Sequence, residues 1–185
     1  MLNLFVEKLV SDLGFFYYVL VYGVGIISMI LSICAFQFKH RVAIVFCNCF
    51  AQTSWVVYFL LQGDLVSAIA CGLSAIMLAV FAKQSEWKWV KSPYCILFFI
   101  LLISGFSILT FAVWSDIFPL MAGVFAVIAN SRSTEKRLRQ FSLLWCGSWC
   151  MNSILKMYPV ALANDLFCMI SAIVALVRYR ERETK

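Results

Sequence analysis

With 185 residues, 64% of them hydrophobic and 13% charged, at a mean hydropathy of +0.94, the chain cannot surround itself with the water-facing surface of a soluble domain, which is about a quarter charged. Its net charge of +6 is spread over several short links rather than gathered on one face, which excludes a nucleic-acid interface. The longest polar stretches, Lys83–Ser92 and Asn130–Gln140, are loop-sized, so no separate soluble domain is expected.

The first fourteen residues set Leu2, Phe5, Val6, Leu9 and Leu13 at helical spacing, opposite Asn3, Glu7, Lys8, Ser11 and Asp12. That pattern predicts an amphipathic segment on the outer surface, with an extension of the first spanning helix as the alternative. The basic start and small-residue cleavage site of a signal peptide are missing. Seven charge-poor runs follow: Leu13–Phe38, Val42–Gly63, Leu65–Ala82, Ser92–Ser115, Ile117–Ser131, Gln140–Leu155 and Met157–Val177, the last broken only by Asp165. A bilayer crossing takes about 20 apolar residues, so the runs predict an all-α polytopic membrane protein with seven transmembrane helices. The fifth and sixth runs are short. They can lengthen through Trp114 and the Asn130–Ser133 end, and through snorkelling of Arg139 and Lys156.

The links between the runs alternate in character. Gln62-Gly63-Asp64, Ser115-Asp116 and Lys156-Met157-Tyr158-Pro159 are minimal and force antiparallel neighbours; the others are longer and basic. The basic links hold Lys39, Arg41, Lys83, Lys88, Lys91, Arg132, Lys136, Arg137, Arg139, Arg178, Arg180, Arg182 and Lys185, against Lys8 and Lys156 on the opposite side. The positive-inside rule then places the N-terminus outside and the C-terminus in the cytoplasm. Trp87 and Trp89, around Lys88, suit the aromatic belt of the interface.

The chain also repeats itself. Ser54-Trp55 recurs as Ser148-Trp149, 94 positions on, and Ser74-Ala75-Ile76 as Ser171-Ala172-Ile173, 97 positions on. The expected organisation is an outer-surface segment at 1–14, a three-helix bundle at 15–83, a linker helix at 92–115, a second bundle at 116–180 and a cytoplasmic tail at 181–185. Two parallel triplets around one inverter helix is a transporter plan with substrate held near the midplane.

Four segments in order, "YGVGIISMILSICAFQFKHR", "VSAI", "DIFPLMAGVFAVIA" and "ISAIVALVRYRER", make residues 20–182 resemble the YgjV family of bacterial inner-membrane proteins. The resemblance implies a helix plan similar to that of SWEET, PQ-loop and PnuC transporters. The chain departs from that pattern in places. Helix 5 has Pro119 but helix 1 has no proline, no Pro-Gln pair accompanies Gln37, and Asn164 on helix 7 is matched on helix 3 only by Ser67, Cys71 and Ser74. These departures count against a sugar as cargo.

Within the spans, Asp165 is the one acid; an intramembrane carboxylate faces a cavity or a partner, and Lys156 is the nearest base in sequence. The alternative places Asp165 about two turns below the surface, in contact with water. Asn48, Gln52 and Trp55 form one face of helix 2 at i, i+4, i+7, with Tyr58 near it. Trp145, Trp149 and Asn152 do the same on helix 6, with Ser148 and Ser153 near them. Aromatic bodies beside selecting amides suit a flat ligand, while buried amides also join helix to helix. The expected substrate-binding set is Asn48, Gln52, Trp55, Trp149, Asn152, Asn164 and Asp165. Gly23, Gly25, Gly72, Gly105 and Gly123 are expected at close helix contacts, and Pro119 and Pro159 in first turns.

The eight cysteines lie inside apolar runs and read as small hydrophobes. Cys146 and Cys150, one turn apart, lack the His or carboxylate companions of a zinc site. His40 has no nucleophile or carboxylate beside it. With no catalytic residue, metal or cofactor motif, the chain reads as a non-enzyme: a small-solute transporter, facilitator or ion-coupled, or alternatively a membrane sensor or scaffold whose basic face meets a partner or anionic lipid. The expected partners are the lipid bilayer and a small polar or aromatic solute, without nucleic acid; a homo-oligomer is left open.

Overall fold

A computed structural model describes residues 2–37, 41–83, 86–131 and 135–183. The side chains of Gln37, His40 and every basic residue expected on the inner side except Lys83 lie outside what it describes. Among the described residues, eight α-helices run in the order α1 (Leu2–Leu13), α2 (Phe15–Gln37), α3 (Arg41–Leu61), α4 (Leu65–Ala82), α5 (Pro93–Leu109), α6 (Ile117–Ser131), α7 (Glu135–Leu155) and α8 (Pro159–Glu183). Single 3-10 turns at Lys88–Lys91 and Trp114–Asp116 precede α5 and α6.

Gly14, at φ 51°, separates α1 from α2, so the first segment is a helix of its own. Its Val6, Leu9 and Val10 pack on the cluster around Tyr17 and Tyr58. The Asp64 carboxylate caps α4 by accepting from the Ser67 amide at 3.1 Å, and Ser92 caps α5 by accepting from the Tyr94 amide at 3.3 Å. Pro93 and Pro159 stand in first turns, where the missing N–H removes no helix bond.

The α3–α4 and α7–α8 links close in the same way. After α3, Gly63 N donates to Leu60 O and Asp64 N to Phe59 O; after α7, Met157 N donates to Ile154 O and Tyr158 N to Ser153 O. Both are Schellman closures around a left-handed residue, Gly63 at φ 77° and Met157 at φ 58°. The two closures are 94 positions apart, like the Ser-Trp pairs.

α3 packs between α2 and α4, and α7 between α6 and α8; α4 meets α6, α2 meets α8, and α5 rests against α4 and α6. Six helices therefore form a closed circuit with α5 outside it. One core cluster, containing Tyr17, Trp55, Tyr58, Phe59 and Tyr158, lies within the circuit. A second, with Met77, Phe81, Phe99, Ile103 and Val127, joins α4, α5 and α6.

Among the described residues, three stretches are long and apolar enough to cross a membrane: Phe15–Cys34, Leu65–Ala82 and Trp114–Ser131. Phe46–Leu61, Pro93–Leu109 and Pro159–Val174 are apolar but shorter. α7 falls outside both groups, since even its charge-free part, Gln140–Leu155, is diluted by Gln140, Ser142, Ser148, Asn152 and Ser153. Large apolar side chains such as Phe15, Phe98, Leu101 and Phe167 are exposed on the outside of the bundle, as lipid contact requires.

Only two of the five glycines sit at tight contacts. A Cβ on Gly25 would lie 2.9 Å from the Tyr58 ring, and one on Gly123 2.6 Å from Ile103. Gly72 has ordinary spacing, and Gly23 and Gly105 face open space; the expectation of close packing is corrected for these three.

Candidate functional site

The three minimal links meet at one end of the bundle around a single lysine. Lys156 Nζ lies 2.8 Å from Asp64 Oδ2 and 2.7 Å from Asp116 Oδ1. Asp64 comes from the α3–α4 link, Asp116 from the turn before α6 and Lys156 from the end of α7. Both carboxylates are almost wholly buried and fully engaged. Asp64 Oδ2 also accepts from Ser67 Oγ at 2.6 Å and Tyr158 Oη at 3.4 Å; Asp116 Oδ2 accepts from the Ala112 and Val113 amides at 2.9 and 3.0 Å. The cluster carries one positive and two negative charges. Burial, followed by the neighbouring Asp64 charge, holds the Tyr158 phenol well above its ordinary range.

A second polar group lies directly beneath. Asn152 on α7 donates to Ser67 Oγ on α4 at 3.3 Å, while its Oδ1 is buried with no partner. Next to it, Ser153 Oγ donates to Asp165 Oδ2 at 3.2 Å, and Asn164 Nδ2 donates to Asp165 Oδ1 at 3.4 Å. Cys168 Sγ contacts Asn164 Oδ1 at 4.0 Å. Asp165 is six residues into α8, roughly 9 Å below its start, yet only 8% exposed. The water-facing alternative for this residue is thereby set aside.

An aromatic column stands beside these groups. Phe59 stacks on Trp55 at 5.9 Å and on Trp149 at 5.6 Å, so it joins the two repeated tryptophans across the bundle. Tyr158 meets Tyr58 and Phe59 at 6.2 and 5.7 Å. Trp55 Nε1 donates to Ser32 Oγ on α2 at 3.3 Å, which satisfies the indole inside the core.

The expected seven-residue site is thus partly assembled. Asn164 and Asp165 bond to each other, Asn152 is the chain neighbour of Ser153, which donates to Asp165, and Trp55 and Trp149 are joined through Phe59. Asn48 and Gln52 are half-buried and bond no described residue. They lie about 20 and 14 Å along α3 from Leu61, away from the lysine cluster. Lys156, the nearest base to Asp165 in sequence, does not pair with it but reaches across the ends of the helices to Asp64 and Asp116. The sequence reading passed over Asp64, Asp116, Ser67 and Tyr158. Their signal was present: two minimal links each carry an acid, and the third carries a base.

All eight cysteines are free, and among the described residues no group of His, Cys, Asp and Glu is arranged to hold a metal ion. The family described as Imp-YgjV, bacterial inner membrane protein, matches residues 19–183. No curated protein and no solved structure matches the chain.

Proposed function

The chain belongs to the Imp-YgjV family of bacterial inner membrane proteins, and from that premise we propose that it is a small-solute transporter of this membrane rather than an enzyme. In this reading seven helices cross the bilayer as two parallel triplets, α2–α4 and α6–α8, around α5 as inverter. The N-terminus is outside, the C-terminus is cytoplasmic, and the lysine cluster lies at the outer face. Alternating access would come from rocking one triplet against the other. The 94-residue correspondence of the two Schellman closures supports the repeat. So does the helix packing, in which each triplet has its second helix in the middle.

The observation that carries the reading is the bond from Lys156 to Asp64. It ties the second triplet to the first at their outer ends, directly above the buried Asn152–Asp165 cluster. An ion pair that closes one side of a buried polar site has the makings of a gate. The Lys156–Asp116 bond lies within the second triplet and would survive opening, leaving the lysine neutralised in both states.

Purified protein screened by thermal shift against sugars, nucleosides, vitamins and amines, followed by uptake of the stabilising solutes into liposomes, tests the proposal. Saturable uptake that is lost in Asp165→Asn while the variant stays folded is the expected result. If no solute stabilises or enters, and neutralising Arg137 and Arg139 instead releases a co-purifying protein, transport gives way to a scaffold role.

A further inference from the structure

We propose that the polar cluster between α4, α7 and α8 binds a small organic ammonium, with Asp165 as its counter-ion and Asn152 Oδ1 as a second acceptor. The inference deepens the transport reading by naming the cargo, and it depends on that reading only for the cargo to be moved.

Asp165 is buried, and its two bonds come from neutral donors at long range, Ser153 at 3.2 Å and Asn164 at 3.4 Å. No described cation pairs with it. Lys156, the lysine of the three short links, is committed to Asp64 and Asp116. A buried carboxylate without a cation is unfavourable, so the site gains from a ligand that brings a positive charge. Asn152 Oδ1 supplies an independent sign of a missing donor: it is buried and unpartnered, while the amide nitrogen of the same side chain is held by Ser67. Asn152 on α7 is adjacent to Ser153, the residue that donates to Asp165 on α8, so the orphaned amide oxygen and the uncompensated carboxylate flank one stretch of α7. An ammonium carries three donors and a positive charge, which supply what the amide oxygen and the carboxylate each lack.

The surroundings favour an organic cation over a metal ion. Trp149 lies one turn before Asn152 and Ser153 on α7; it is stacked on Phe59 but only half-buried. Aromatic faces attract ammonium groups and cover the carbon attached to them. Hard metal ions seek six or more oxygens, whereas the buried groups near Asp165 include the thiols Cys71 and Cys146.

The experiment uses full-length protein in detergent. Methylamine, butylamine, benzylamine and tryptamine are each compared with the corresponding alcohol by thermal shift and calorimetry. The expected result is saturable stabilisation by at least one amine and by none of the alcohols, with affinity reduced about tenfold or more in Asp165→Asn. Stabilisation by sodium alone, equal effects of amine and alcohol, or no effect from any amine would overturn the proposal. The amine–alcohol contrast is read on wild-type protein, so a variant that fails to fold does not remove the test. An amine that binds without entering liposomes would uphold this site and sink the transport reading. Uptake of a neutral solute without amine binding would do the reverse.

Discussion

Tyr158 donates its phenol to Asp64, and the two residues hold the same position in two links that stand 94 residues apart. Each directly follows the left-handed residue of its Schellman closure. Corresponding positions of two similar units can touch only near an axis that relates them. The contact therefore puts any two-fold relation of the triplets through this end of the bundle, beside Lys156.

That contact gives an alkaline signature. The Tyr158 phenol is raised by burial and by Asp64, whereas an unfolded tyrosine ionises near pH 10. Its contribution to stability is present below about pH 10 and is lost as the pH rises further, because only the unfolded chain then releases the proton. In melting curves from pH 7 to 11, wild type should lose stability above pH 10 more steeply than Tyr158→Phe. At neutral pH the variant should cost about 1 kcal/mol.

Removing Lys156 leaves two buried carboxylates without a cation. Lys156→Met is expected to destabilise by about 3–5 kcal/mol, seen as a lower melting temperature in detergent. Adding Asp64→Asn should recover part of the loss, and a double-mutant cycle should give a coupling of roughly 1 kcal/mol or more. Additivity of the two changes would show that the pair holds nothing together.

The gate reading adds a chemical test. Cys71, one turn below Ser67 on α4, is buried and should resist a membrane-impermeant maleimide in cells. In Lys156→Met it should become labelled from outside. Unchanged protection in a folded variant would mean that the lysine does not control access.

The glycines separate by position. Gly25→Ala drives a methyl into the Tyr58 ring, a side chain with no exposed surface, and should cost about 1–3 kcal/mol. Gly23→Ala meets nothing and should be neutral or gain up to about 1 kcal/mol. Equal effects in thermal melts would contradict the packing.

The two left-handed positions should respond in opposite directions. Gly63→Ala should cost about 1 kcal/mol, since a Cβ is unfavourable there. Met157→Gly should be neutral or stabilising by up to about 1 kcal/mol. The same denaturation assay reads both.

Helix starts were legible where something local sets them, a capping Asp64 or Ser92 or a proline in a first turn, whereas α5 ends at Leu109, short of its charge-free run, and α7 and α8 continue through charged residues. The stripes on α3 and α7 were equally legible, and the structure puts Phe59 between their tryptophans. What spacing could not reveal was which links meet. Lys156 and Asp165 are nine residues apart in sequence, yet the lysine pairs with acids 92 and 40 positions away. The sequence likewise marks Asn152 as an inward amide but cannot say that one of its two polar ends finds Ser67 while the other finds nothing. Such partnerships arise only when the helices close their circuit.

The seat of α5 makes the two seams of that circuit unequal. One seam, α4 against α6, is braced by α5 on its outer side; across the other, α2 against α8, no helix among the described residues packs substantially on both partners. The bundle is bound like a book, with α5 as the spine and α2 and α8 as the fore-edge. Any parting of the triplets that keeps α5 seated is widest along the α2–α8 line. There Gly25 already brings α2 close to Tyr58 and Val160, leaving little bulk to move aside.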